Sequence, residues 1–195
     1  MFITFEGIDR SGKTTQAKLL ANALGDEALL VREPGGTPAA ERIRELVKDP
    51  GVELSPIAET LLFGAARAGL IEQVIRPALE AGRTVISDRY VDSTVAYQGG
   101  ARGLPTGWPP TFPRPDITFL LEGPVETGLG RHEQAGKSKD RMERESVEFH
   151  RKVAEAYDRL AAAESSRFVR IDATGSRDKI HYGVRDRLKP LLEAR

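Results

Sequence analysis

Short apolar runs alternate along this chain with longer stretches in which apolar positions return every three or four residues. The runs FITFE (2–6), ALLVRE (28–33), TVISD (84–88), ITFLLE (117–122) and RFVRID (167–172) predict strands. Helical spacing predicts helices over 13–24, 38–48, 56–81, 144–164 and 177–193. Thr37-Pro38 and Ser55-Pro56 each set a capping hydroxyl before a proline at the first helical position. Gly25 and Gly82 stand where helices should stop, and Pro77 predicts a kink or division within 56–81. Phe149, Val153, Tyr157 and Leu160 share one face of 144–164 and are expected in the core. Strands alternating with helices argue for an α/β fold on a mostly parallel sheet. The Gly- and Pro-rich stretch 98–116 reads as an ordered surface loop, too long for an idle connection. There is no internal repeat and no linker.

Composition narrows the function more than the fold. The 195 residues carry 29 basic and 29 acidic side chains, a balance that argues against a protein that coats nucleic acid or an anionic membrane. Absence of cysteine excludes disulfides, thiolate metal sites and a cysteine nucleophile. With no apolar run near 18 residues, the expectation is a single soluble domain, 1–195, in the cytoplasm.

The chemistry begins at GIDRSGKT (7–14), which fits G-x-x-x-x-G-K-[ST] between a strand and a helix. Such a loop turns backbone N–H groups inward around phosphates, and Gly7 and Gly12 keep side chains out of the way. Lys13 adds a charge over the terminal phosphates, the Thr14 hydroxyl can reach a metal, and the helix behind lends its positive end. Asp88, at the C-terminal end of the strand 84–88, is the matching candidate carboxylate for that metal. Asp9 and Arg10 are unusual, because they put opposite charges inside a loop whose backbone already grips phosphate.

Five fragments in order then resemble the thymidylate kinases, which phosphorylate dTMP to dTDP from ATP in dTTP biosynthesis. They are FEGIDRSGKTTQ (5–16), REPGGT (32–37), LLFGAARA (61–68), SDRYVDSTVAYQGGARGL (87–104) and DRMERES (140–146). The resemblance implies the three-layer P-loop fold: a five-stranded parallel sheet flanked by helices, with a mobile lid near 131–145. Gly7, Ile8, Asp9, Arg10, Ser11, Gly12, Lys13, Thr14 and Thr15 would then hold ATP, with Arg131 and Arg141 reaching in from the lid. Mg²⁺ would sit at Thr14 and Asp88. Phe63 would stack on thymine, Arg67 would address its 4-carbonyl, and Ser93, Tyr97 and Gln98 would line the base and sugar. Arg89 would clamp the acceptor phosphate, and Asp9 would approach the sugar while holding Arg10, which reaches the moving phosphoryl group. Asp9, Arg10, Lys13 and Arg89 are thus the expected catalytic set. A homodimer is implied, with no nucleic-acid or membrane partner.

Taken singly, Phe63 reads as core packing, Arg67 as a solvated helix charge and DRY (88–90) as a turn; only their joint occurrence points to a nucleotide slot. Phe63 and Arg67 lie four apart, one turn above each other on a helix face. Stacking is worth about 1–3 kcal/mol per base but tolerates any base, so selectivity must come from polar contacts to its edge. An acceptor phosphate is already ionised, so no general base is needed. His132, His150 and His181 are accordingly expected to be surface or plain helix residues. The chain departs from the family pattern at 104–116, which is short and leaves Trp108 to fill the place of a helix. It departs also at Glu122, where Asp is commoner, and at Gly69-Leu70, where Gln-His is usual. Rival readings are a kinase for another acceptor, a GTPase switch and a non-catalytic nucleotide module. The switch lacks an [NT]-K-x-D motif, and DATG (172–175) comes too late to serve one.

Overall fold

The computed structural model of the protein describes residues 1–126 and 140–193. Five parallel strands form one sheet: β1 (Phe2–Glu6), β2 (Ala28–Arg32), β3 (Thr84–Asp88), β4 (Ile117–Glu122) and β5 (Phe168–Asp172), in the order β2-β3-β1-β4-β5. β1 lies at the centre, with Phe5 beside Asp88 of β3 and Phe119 of β4. All five residues of β1 are buried, as expected of a strand covered on both faces.

The helices are α1 (Lys13–Leu24), α2 (Pro38–Lys48), α3 (Pro56–Leu70), α4 (Arg76–Glu80), α5 (Val91–Thr94), α6 (Val147–Ala163) and α7 (Arg177–Glu193). On one face of the sheet, Ala17 and Leu20 of α1 and Ile180, Val184 and Leu188 of α7 pack against Ile3, Phe5 and Ile171. The other face is covered by α3 to α6. There Leu70 and Ile75 meet Phe2 and Val85, while Val153 and Tyr157 meet Leu120 and Phe168. The α/β fold with helices on both faces of a parallel sheet is as expected. No helix among the described residues is long and apolar enough to cross a membrane.

Local signals acted where they stood. Thr37 and Ser55 accept from Ala40 N and Ala58 N as N-caps, and Ser146 caps α6 in the same way. The division expected at Pro77 is present: α3 runs into a wide π-type turn over Ile71–Ile75, and Pro77 falls in the first turn of α4. The stretch 104–116 contains no helix. Trp108 packs edge-on against Tyr90 at 5.6 Å, with the Arg114 and Arg167 guanidiniums over its ring at 4.4 and 5.2 Å. Its indole N–H donates to the Phe112 carbonyl at 3.1 Å, which holds the ring within its own segment.

One element was not visible in the pattern. Val91–Thr94 is helical and continues through a π-type turn over Val95–Ala101, overlapping the start of the expected loop 98–116. Its run of Val, Ser, Thr and Gly is poor in intrinsic helix formers. Tertiary contacts hold it instead: the Glu6 carboxylate accepts from Tyr90 N at 2.7 Å, and Ala96 and Tyr97 are buried against Phe149, Val153 and Tyr157.

Candidate active site

The turn from β1 to α1 delivers the phosphate loop. Gly7 has φ 138 and a side chain there would start 2.5 Å from the Leu121 carbonyl oxygen, so only glycine fits. Gly12 (φ 101) and Arg10 (φ 63) share this left-handed geometry, which turns the chain around a central space. Lys13 is 5% exposed, and its Nζ donates to the Ile8 carbonyl at 2.5 Å and to Ser11 Oγ at 3.3 Å. Burial, and next the Arg89 charge, lower its pKa to about 8 against the pull of Asp9 and Asp88. Such an ammonium gains from a multiply charged anion beside it. Thr14 Oγ1 donates to Asp88 Oδ2 at 2.5 Å across the C-terminal edge of the sheet. This pair offers hard oxygen donors only, which fits a Mg²⁺ that keeps its remaining positions for phosphate and water.

The loop opens into a cleft of about 840 Å³ between α1, α3, the 89–98 segment and the 140–143 turn. Among the described residues its wall carries nine Lys and Arg side chains against five Asp and Glu. A chain of zero net charge has therefore gathered a local positive surplus where anions would sit.

Arg89 occupies the floor. Its backbone takes φ 74, held by its own N–H on the Phe5 carbonyl and by Ser87 Oγ donating to its carbonyl. Its guanidinium donates to Asp9 Oδ1 (2.6 Å), the Gly7 carbonyl (3.1 Å), Ser93 Oγ (3.0 Å) and the Tyr97 hydroxyl (3.1 Å). Arg89 and the phosphate loop are thus one hydrogen-bonded unit. Burial alone would raise the Asp9 carboxyl, but Arg89 and then Lys13 hold it below the usual range. Underneath, Glu6 is fully buried and accepts from Ser93 Oγ at 2.6 Å and Tyr157 OH at 2.7 Å. Burial and the neighbouring Asp92 raise its pKa, while Arg89 opposes them.

The structure gathers most of the expected residues around this cleft but redraws some contacts. Asp9, Arg10, Ser11, Gly12, Lys13, Thr14, Thr15, Phe63, Arg67, Asp88, Arg89, Ser93, Tyr97 and Gln98 all line it. Asp9 does not hold Arg10. It holds Arg89 and Tyr97, and the left-handed turn at Arg10 sends that side chain the other way, to Glu143 Oε1 at 3.0 Å. Arg67, on α3, donates to Glu33 (2.6 Å), Thr94 Oγ1 (2.9 Å) and the Tyr90 carbonyl (3.0 Å). Burial pushes the Glu33 carboxyl up to about 7 despite Arg67 beside it.

Arg141 lies behind the cleft wall, where it pairs with Glu59 at 2.6 Å and donates to the Val47 carbonyl. Arg131 and His132 lie outside the described residues, as does the lid stretch 131–139. His150 is a helix residue, one of its two expected placements, but not a surface one: it is 2% exposed on α6, edge-on against Phe149, and near enough for its charge to pull the Asp9 carboxyl down. Glu122 pairs with Arg170 at 2.5 Å on the sheet edge, away from the cleft. Glu6 and Glu33 were missed in the sequence although each ends a predicted strand, the edge at which α/β ligands bind. Tyr157 was read as core alone, because helical spacing reports burial and not what a hydroxyl touches.

With this geometry in view, the family model described as thymidylate kinase matches residues 5–184. Among named relatives, a thymidylate kinase of Thermomicrobium roseum is 48% identical, over 89% of this chain and 87% of its own. Those of Deinococcus radiodurans and Halothermothrix orenii are 45% and 43% identical, covering 94% and 98% of each chain. The solved thymidylate kinase of Ehrlichia chaffeensis superposes with a TM-score of 0.78 at 31% identity, over 97% of this chain and 98% of its own. A cleft built on a phosphate loop and the Arg89 hydrogen-bond network, within a match that runs almost end to end, places this chain in the thymidylate kinase family.

Proposed function

We propose that the chain transfers the terminal phosphoryl group of Mg-ATP to dTMP, giving dTDP and ADP in dTTP biosynthesis. The observation that carries this reading is the Arg89 guanidinium, bonded at once to the Gly7 carbonyl of the phosphate loop and to Asp9 and Tyr97. It ties an acceptor clamp rigidly to the donor cradle. Backbone N–H groups of residues 7–15, Lys13 and the start of α1 hold the ATP phosphates. Thr14 and Asp88 would hold Mg²⁺, which would supply charge neutralisation to the phosphates.

On the other side Phe63 offers a ring to the base, Arg67 and Gln98 its polar edge, and Asp9, Ser93 and Tyr97 flank the sugar. An ionised phosphate oxygen of dTMP attacks the terminal phosphorus of ATP, the bridging bond breaks, and its electron pair leaves with ADP. No proton moves, so the buried His150 is not required as a base. Arg10 and Arg89 neutralise charge on the transferring group, an effect for which arginines are worth about 10³–10⁵ in rate. Arg10 enters this step by exchanging Glu143 for phosphate. We further propose one kinase domain over 1–195 with 131–145 as its lid, Arg131 and Arg141 included, acting as a cytoplasmic homodimer without nucleic-acid or membrane partners.

The test is ADP release with Mg-ATP against dTMP, dUMP, dCMP, dGMP, AMP and thymidine. Preferred turnover of dTMP, abolished by EDTA and by Arg67→Ala, is expected. ATP hydrolysis without acceptor turnover, or preference for thymidine, would overturn the reading.

A further inference from the structure

Behind the cleft wall lies a carboxylate that the reaction itself does not use. Glu59 stands in the first turn of α3, one turn before Phe63 on the same face, and its side chain is 1% exposed. It accepts four hydrogen bonds: from Gln98 Nε2 at 2.7 Å, Arg102 Nε at 2.7 Å and Nη2 at 2.8 Å, and Arg141 Nη1 at 2.6 Å. Burial alone would raise its pKa, but the bonds from Arg102, Gln98 and Arg141 outweigh that and hold it below the usual range.

An ionised carboxylate has only lone pairs to offer. Gln98 must therefore turn its amide nitrogen toward Glu59, and its carbonyl oxygen is the atom left for the cleft, whose wall Gln98 forms. We infer that Glu59 is a positioning residue that sets the base selectivity of the acceptor site, by locking the Gln98 amide with its carbonyl toward the ligand. This rests on the dTMP-kinase reading above. A carbonyl can accept the N–H at ring position 3 of thymine or uracil. Cytosine carries a lone pair there, and two acceptors facing each other in a buried site leave both unsatisfied. An amide free to rotate would present its NH₂ to cytosine instead. The same carboxylate holds Arg141 and Arg102, and Arg102 also donates to Glu145 at 2.7 Å. The base-facing amide and the 141–145 turn thus share one anchor.

The experiment compares kcat/KM for dTMP and dCMP in the wild type and in Glu59→Gln, whose neutral amide can donate to Gln98 as well as accept from it. The dTMP-to-dCMP ratio is expected to fall by on the order of tenfold or more. A purely structural role would lower both substrates together, and an unchanged ratio overturns the inference. Should Glu59→Gln fail to fold, the dTMP-to-dCMP ratio is read in Gln98→Leu, which removes the amide at similar size. A fall of about tenfold is expected, and an unchanged ratio refutes a carbonyl that reads the base. Wild-type turnover of dTMP in the same assay reports on the kinase reading separately, since its absence would sink that reading whatever the ratios.

Discussion

At the scale of single residues, the two arginines of this site do different work. Arg89, 17% exposed, sits in a network of five partners, whereas Arg10 is held at the cleft edge by Glu143, with 30% and 20% of the two side chains exposed. A partly exposed ion pair at a cleft edge is a modest contributor to stability. Arg10→Ala is therefore expected to lower kcat by about 10²-fold or more while moving the unfolding midpoint little; paired kinetics and thermal melts check this. Glu33 supplies a pH signature. Its folded pKa of about 7 lies above the ordinary 4.5, so the native state binds this proton more tightly than the unfolded chain does. Its contribution is full below pH 4.5 and is lost as pH rises through 7, a decline of about 3 kcal/mol. Glu33→Gln should flatten that decline in denaturant unfolding measured across this range, and parallel profiles would count against it.

At the scale of elements, the 91–101 segment matters most, because it carries Ser93, Tyr97 and Gln98 to the cleft. Gly100 lets it lie directly on α6: a Cβ at that position would collide with the Ala156 methyl. Gly100→Ala is expected to cost about 1–3 kcal/mol in urea unfolding and to raise KM for the acceptor, since Gln98 moves with its helix. The element escaped the pattern for a physical reason. Its β-branched residues and paired glycines argue against a helix locally, and what holds it is a carboxylate 84 residues away, Glu6 on Tyr90 N. By contrast α1 and α2 were legible to the residue and α6 to within three residues at its start, because caps, stops and apolar spacing all lie within the segments themselves.

At the scale of the whole molecule, the neutral chain divides its charge between a basic cleft and a surface elsewhere richer in acid. The outer side of α3 is apolar, with Ile57 62% exposed and Leu61, one turn on, 67% exposed; Leu46 of the neighbouring α2 is also exposed. A homodimer that covers these side chains would bring the element bearing Phe63, Arg67 and Glu59 to the interface. Leu61→Glu is expected to convert a dimer into a monomer in sedimentation equilibrium at micromolar concentration. A wild type that sediments as a monomer would remove the dimer from the proposal.

What the sequence by itself determined was local or carried by spacing: the strand–helix alternation, the phosphate loop at 7–14, the division at Pro77 and the set of side chains that could read a nucleotide. Tertiary structure alone decided the pairings among them. Asp9 took Arg89 and not Arg10, Arg67 was committed to Glu33, Arg141 was drawn behind the wall by Glu59, and His150 was buried within electrostatic reach of Asp9. Charges far apart in the chain can be matched in many ways, and each choice depends on which side chains the packed sheet and helices leave within about 3 Å. Spacing carries no record of that distance.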